Sequence, residues 1–317
     1  MWQVILIFRK IAGNKFFKIG VSVLLTYFVF AYFFKIVDFE VLKQQVGKIN
    51  WWWMLASAGA YLVTYLFRAW RIYLIVRREQ PVRYGTIYRV SLIHQFYNRI
   101  LPFKTGELSL VYLLKKNCNL GAGNGSLVLL FIRIFDFLVM FMMFLLCSFM
   151  IGIDLIDRKY IYGILAVFVL FLCLLPYLLK FLPKIVKHPK AAELSAFYKR
   201  SVTPQVLVKT FVSTLLMWLF LYLSMHLVIA AFSISLPFYV TVSATFLASV
   251  GGMLPINGIG GFGAVETGWV LGFTLLGLDK PAAVASSIVS NLESFVIIVL
   301  FGAGALLIER IQKNDDI

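Results

Sequence analysis

Asn98, Arg99, Lys104 and Glu107 cluster around the Leu101–Pro102 step in the stretch IHQFYNRILPFKTGELSLVYLLKK. Pro102 removes an amide and disturbs the helix before it. A helix broken there offers free amides and carbonyls, and half-helix ends carrying partial charge. The N-terminal end of an arm starting near Gly106 favours an anion, and Lys104 adds a full positive charge. Residues of this kind suit holding an anionic headgroup within a membrane. The bland alternative is a cytoplasmic loop with Lys104 and Glu107 in water.

A second interruption, GGMLPINGIGGFGAVE, brings Pro255, Asn257, Gly260, Gly261 and Glu266 together. An acid at membrane depth costs about 2.5–3.5 kcal/mol on insertion scales, so it faces the interior and finds a partner. Glu266 has three open roles: pairing with a cation, holding a proton, or capping the glycine-rich turn. NGIGGFG superficially resembles a phosphate-binding glycine loop, but no strand–loop–helix unit surrounds it. Its glycines fit tight turns and close helix approach better. Arg133 and Asp136, three apart on one helix face, are either a mutually neutralising pair or cavity-lining groups. Asn291 and Glu293 lie midway along the last apolar run, and Glu293 reads as a buried acid. Arg68 and Arg71, ending the second apolar run, are expected to snorkel to the cytoplasmic interface, with meeting a phosphate as the alternative. His94, His188 and His226 form no ligand pattern, and Cys118, Cys147 and Cys173 form no metal spacing or disulfide framework. No nucleophilic triad or acid pair is defensible, so no catalytic residue, metal or cofactor is expected.

The elements that must position these groups follow from composition. The chain of 317 residues is 61% hydrophobic and 14% charged, whereas a soluble domain is about half apolar and a quarter charged. The fold class expected is all-α and polytopic, with six full spans and two re-entrant helical hairpins. The spans are about Ile19–Ile36, Trp51–Ile72, Ser126–Ile153, Tyr160–Leu182, Val206–Phe232 and Ala282–Ile308, each near the length needed to cross the hydrocarbon core. The hairpins are Tyr84–Lys116 and Leu236–Leu278, whose apolar arms are too short to span. Broken backbone at that depth must be buried in protein or line a wet cavity. Trp51, Trp52 and Trp53 open the second span as an interfacial anchor. The loop LPKIVKHPKAAELSAFYKRSVTP reads as a short amphipathic surface helix.

The net charge of +16 would suggest nucleic acid in a soluble protein. Here the lysines and arginines fall on one side, which makes that side cytoplasmic and puts both termini there; no nucleic-acid partner is expected. Each half, about 1–155 and 156–317, reads span, span, hairpin, span, and the halves start on opposite sides. That is an inverted repeat within a single transmembrane domain, a common transporter plan.

FYNRILPFKTGELSLVYLL, IRIFDFLVMF and LPINGIGGFGAVETGWVLGFTLLGL together resemble the lysylphosphatidylglycerol synthase transmembrane family, the flippase-like domain proteins, over about residues 10 to 310. Ile132 stands where that family usually carries an acid. The resemblance implies movement of an anionic phospholipid or a polyprenyl-linked glycan between leaflets of the bacterial inner membrane. It also implies lipid or lipid-linked substrates and glycosyltransferase partners. Nothing corresponds to the soluble aminoacyl-transfer domain of the two-domain synthase. Two competing expectations are a membrane glycosyltransferase or its accessory subunit, and a non-transporting envelope scaffold.

Overall fold

The computed structural model of the chain describes residues 39–151, 163, 189–253 and 263–315. The expected first span, the fourth span apart from residue 163, and Pro255, Asn257, Gly260 and Gly261 lie outside the described residues. Of Pro102 and Lys104 only the backbone is described. Among the described residues the chain is all-helical, without a strand.

A short helix, α1 (Phe39–Gly47), precedes α2 (Trp51–Val76). Asn50 caps α2, its side chain accepting from the Trp52 amide at 3.0 Å, and the three tryptophans of the first turn are exposed. Helix α3 (Tyr84–Ile100) stops where Leu101 takes extended backbone (φ −77°, ψ 130°), the conformation a following proline imposes. Pro102 then starts a 3-10 turn, Pro102–Glu107, and α4 (Leu108–Cys118) ends on Asn119 in the left-handed region. A side chain on Gly106 would collide with the backbone of Tyr97 and Asn98. The broken helix is therefore folded back on itself, main chain against main chain.

Helices α5 (Ala122–Ile151), α6 (Pro189–Ser201) and α7 (Pro204–Ala231) follow. Thr203 caps α7 with Pro204 in its first turn. The helix expected in the middle loop is present as α6. Its Arg200 and Ser201 hold Glu79 of the α2–α3 turn, and Phe197 is buried in the core. The second hairpin pairs α8 (Phe238–Met253) with α9 (Ala264–Leu275), and α10 (Lys280–Asp315) closes the described chain. Helices α5, α7 and α10 are long and apolar enough to cross a membrane; α2 has 26 residues but carries Arg68 and Arg71.

Within a bilayer, apolar burial does not distinguish a neighbouring helix from lipid, so association relies on close van der Waals packing of small residues. The α8–α9 pair meets this requirement: a Cβ on Gly268 or Gly272 would overlap the backbone of Leu247–Ala248 or Ala244, and one on Gly251 would overlap that of Ala264. These small residues sit one helical turn apart along α9. Elsewhere α2 lies along α7, α3 packs on α10, and α8 packs on α5. Gly302 of α10 admits Phe96 of α3 in the same close manner.

Candidate functional site

The helices enclose a partly open cavity of about 210 Å³. Its wall is contributed by α2, α3, α5, α7, α8, α9 and α10. Asn98, Arg99, Arg133, Asp136, Asn291 and Glu293 line it. Six of the residues singled out from the sequence, spread over nearly 200 positions, therefore converge on one space.

Two layers of charge surround the cavity. The deeper is Arg71, only 3% exposed, whose guanidinium donates through both terminal nitrogens to the two carboxylate oxygens of Asp136, itself 2% exposed. Arg71 therefore does not snorkel as its place near the end of the span suggested. Its side chain turns inward because a buried carboxylate one helix away offers bidentate pairing, which outweighs hydration of a lone guanidinium. Asp136 also accepts from Arg133 Nη1 at 3.3 Å and Trp218 Nε1 at 3.2 Å. Arg133 in turn donates to Glu107 at 2.8 and 3.2 Å. The two sequence alternatives for Arg133 and Asp136 are both realised: the residues pair, and they line the cavity. Glu107, at the start of α4, ties the broken turn of the first hairpin to this network but is not itself in the cavity wall.

The inner layer is Arg68 and Arg99. Arg99 Nη2 donates to the Asn291 carbonyl at 3.2 Å, to Asn291 Oδ1, and to Ser294 Oγ at 3.2 Å. All of these are neutral acceptors. Among the described residues neither Arg68 nor Arg99 makes a salt bridge. Buried polar atoms without a hydrogen-bond partner gather in the same wall: Asn98 Oδ1, Arg99 Nε, Ser287 Oγ, Asn291 Nδ2 and Glu293 Oε1. Buried polar groups are nearly always satisfied, so this concentration marks a place for a polar occupant. Glu293 is held by Ser57, whose hydroxyl lies 2.9 Å from Oε2.

The remaining sequence candidates sit elsewhere. Gly106 makes the tight contact under α3 and does not face the cavity. Glu266 is 1% exposed, and its Oε2 accepts the Gly263 amide at 2.6 Å, while Gly263 adopts φ 127°. It therefore fills the capping role, the third of the three left open for it, at a backbone angle that only glycine adopts readily. Its neighbours Val265 and Trp269 line the cavity.

Sequence reasoning preferred snorkelling for Arg68 and Arg71, whereas Arg68 lines the cavity and Arg71 turns inward to Asp136; their three-residue spacing already put both on one face. It also missed Ser57 and Trp218, which carry no local signal. Among the described residues no group of His, Cys, Asp and Glu could hold a metal ion.

No curated protein matches the chain closely enough to count as a relative. A family model described as "Lysylphosphatidylglycerol synthase TM region" matches residues 16–302. With its long apolar helices, the chain is thus a multi-pass membrane protein that belongs to the lysylphosphatidylglycerol synthase TM region family.

Proposed function

We propose that this protein passes the anionic headgroup of a lipid between leaflets through the central cavity, while the acyl or prenyl tails stay in the bilayer. The observation that carries the reading is the pair of guanidinium groups, Arg68 and Arg99, lining a polar cavity without a salt bridge among the described residues. A half-buried cation held only by neutral hydrogen-bond acceptors is costly, and a phosphate or phosphodiester bound by the planar guanidinium fork offsets that cost. The tight pairing of Arg71 with Asp136 supports the contrast: where the fold needs a neutral pair, it has built one.

The packing pattern supports an inverted repeat. The first arm of the first hairpin, α3, packs on α10, the span following the second hairpin; the first arm of the second, α8, packs on α5, the span following the first. This crosswise exchange is what a pseudo-two-fold axis in the membrane plane generates. In this reading six spans and two re-entrant hairpins, entering from opposite faces, place the cavity near the midplane of the inner membrane, with both termini cytoplasmic. The Pro102 break lets Arg99, in the last turn of α3, reach across to α10.

The test is lipid crossing in proteoliposomes. Fluorescent phosphatidylglycerol should exchange leaflets faster with protein than without, and Arg68→Ala plus Arg99→Ala should abolish the gain. Phosphatidylcholine should cross less rapidly. Equal rates with and without protein over a broad panel of anionic and polyprenyl lipids would leave the scaffold reading. Conversion of a labelled sugar donor into a lipid-linked product by the purified protein would establish the glycosyltransferase reading instead.

A further inference from the structure

Glu293 stands out among the acids of the membrane interior because it has a cavity and no cation. Asp136 has Arg71 and Arg133; Glu107 has Arg133; Glu266 is closed off behind the Gly263 amide. Glu293 lines the cavity, takes one hydrogen bond from neutral Ser57 on Oε2, and leaves Oε1 buried without a partner. Among the described residues it forms no salt bridge. Arg99, a cation of the same wall, is anchored on Asn291 and Ser294, two residues before and one after Glu293 on α10.

From α2, Tyr61 and Arg68 face the cavity, Tyr65 is buried edge-on against Tyr61, and Arg71 is spent on Asp136. From α3, His94 is bonded to Ser109. From α7, Tyr222 packs with its ring tilted against Trp218, and His226 is bonded to Thr241; Lys209 is exposed. Across the space lie Arg133 and Asp136 of α5, and α9 contributes only Glu266. Helix α1 carries Glu40 and Lys43, both exposed. Arg68 and Arg99 are thus the cations of the wall that form no salt bridge among the described residues.

We propose that Glu293 is a proton-binding site linked to anion occupancy, which makes headgroup transfer a proton symport. The proposal rests on the cavity being the anion path. With no anion bound, the Glu293 carboxylate shares the cavity wall with Arg68 and Arg99. A phosphate arriving on Arg99 brings a second negative charge into the same cavity and repels the carboxylate. A proton drawn from water then forms an O–H bond on the carboxyl, removes the repulsion, and turns Oε1 or Oε2 into a hydrogen-bond donor toward the phosphate. When the phosphate leaves toward the other leaflet, the proton dissociates to water on that side. Because each ligand favours the other, the coupling is reciprocal: acid strengthens anion binding, and the anion strengthens proton binding. One proton and a singly charged headgroup cross together without net charge.

The experiment uses phosphatidylcholine vesicles containing the full-length protein and a trace of fluorescent phosphatidylglycerol, read by chemical quenching of the outer leaflet. Transfer of one proton per lipid biases the steady-state leaflet ratio toward the less acidic side by up to about tenfold per pH unit of gradient. Glu293→Gln should cross without any gradient-dependent bias, and Glu293→Asp should restore it. Ser57→Ala removes the hydrogen bond on Oε2 and should move the pH at which crossing is half-maximal. Three results overturn the proposal. Crossing by the unmodified protein that ignores the gradient removes the coupling but leaves the flippase reading intact. A bias that survives in Glu293→Gln, or an unmoved midpoint in Ser57→Ala, assigns the proton to another group. Absence of any protein-dependent crossing removes both the coupling and the flippase reading.

Discussion

Replacing Asp136 with leucine leaves the guanidinium of Arg71 buried with no acceptor among the described residues, and the cost is large. Stranding one member of a buried ion pair costs about 3–5 kcal/mol. Trp218 Nε1 loses its acceptor as well, adding about 1 kcal/mol. Arg133 loses one bond but keeps Glu107. The reverse change is milder. Arg71→Met removes the bidentate partner, yet Asp136 still accepts from Arg133 and Trp218. Its cost is therefore about 1.5–3 kcal/mol, the worth of a hydrogen bond to a charged group. The double variant Arg71→Met/Asp136→Leu strands no charge and should sit closer to Arg71→Met than to Asp136→Leu. Thermal unfolding of the four proteins in one detergent reads the order directly. At about 2–4 °C per kcal/mol for a medium-sized domain, Asp136→Leu should lower the midpoint by on the order of 10 °C. The double variant should recover part of that loss, a coupling visible in the mutant cycle. If Arg71→Met costs as much as Asp136→Leu, or if the double variant falls below both, Asp136 is not the hub of this network.

Two further outcomes test other parts of the fold. Gly268→Leu should force α8 and α9 apart and lower the unfolding midpoint by the equivalent of about 1–3 kcal/mol or more, whereas Gly304→Ala, with open space at its Cβ, should not destabilise. Outside the membrane, burial of the Glu79 carboxyl raises its pKa, but the hydrogen bonds from Arg200 and Ser201 outweigh this and hold it below the usual value. A depressed carboxylate contributes stability above its unfolded pKa, about 4.3, and that contribution is lost as pH falls through the lower folded value. Unfolding followed from pH 6 to pH 3 should therefore steepen below about pH 4.3. Glu79→Gln should flatten that added slope, and an unchanged acid limb would detach this contact from the stability of the α6 connection.

Legibility followed the range of the interaction. The stop at Ile100 could be read because proline acts on its immediate neighbour, and the span lengths because hydropathy is summed along one helix. Phe96 against Gly302, or Leu247 against Gly268, could not be read: each is a contact between helices whose register no local rule fixes. Arg71 marks the boundary most sharply. From its own helix it is a terminal cation with water nearby. Only the placement of Asp136 beside it, from a helix 65 residues further on, makes inward burial the cheaper course.

The sequence alone determined that this chain lives in a bilayer, that it is helical, that its helices break at the Leu101–Pro102 step, and which few polar residues had to be explained. Those are properties of composition and of neighbours along the chain. Only the tertiary structure decided that Asn98, Arg99, Arg133, Asp136, Asn291 and Glu293 share one cavity, and which of its charges are paired. Whether a buried charge is neutralised depends on the few ångströms separating it from a partner far away in sequence. That distance is set when α2, α3, α5 and α10 pack together, and by nothing smaller.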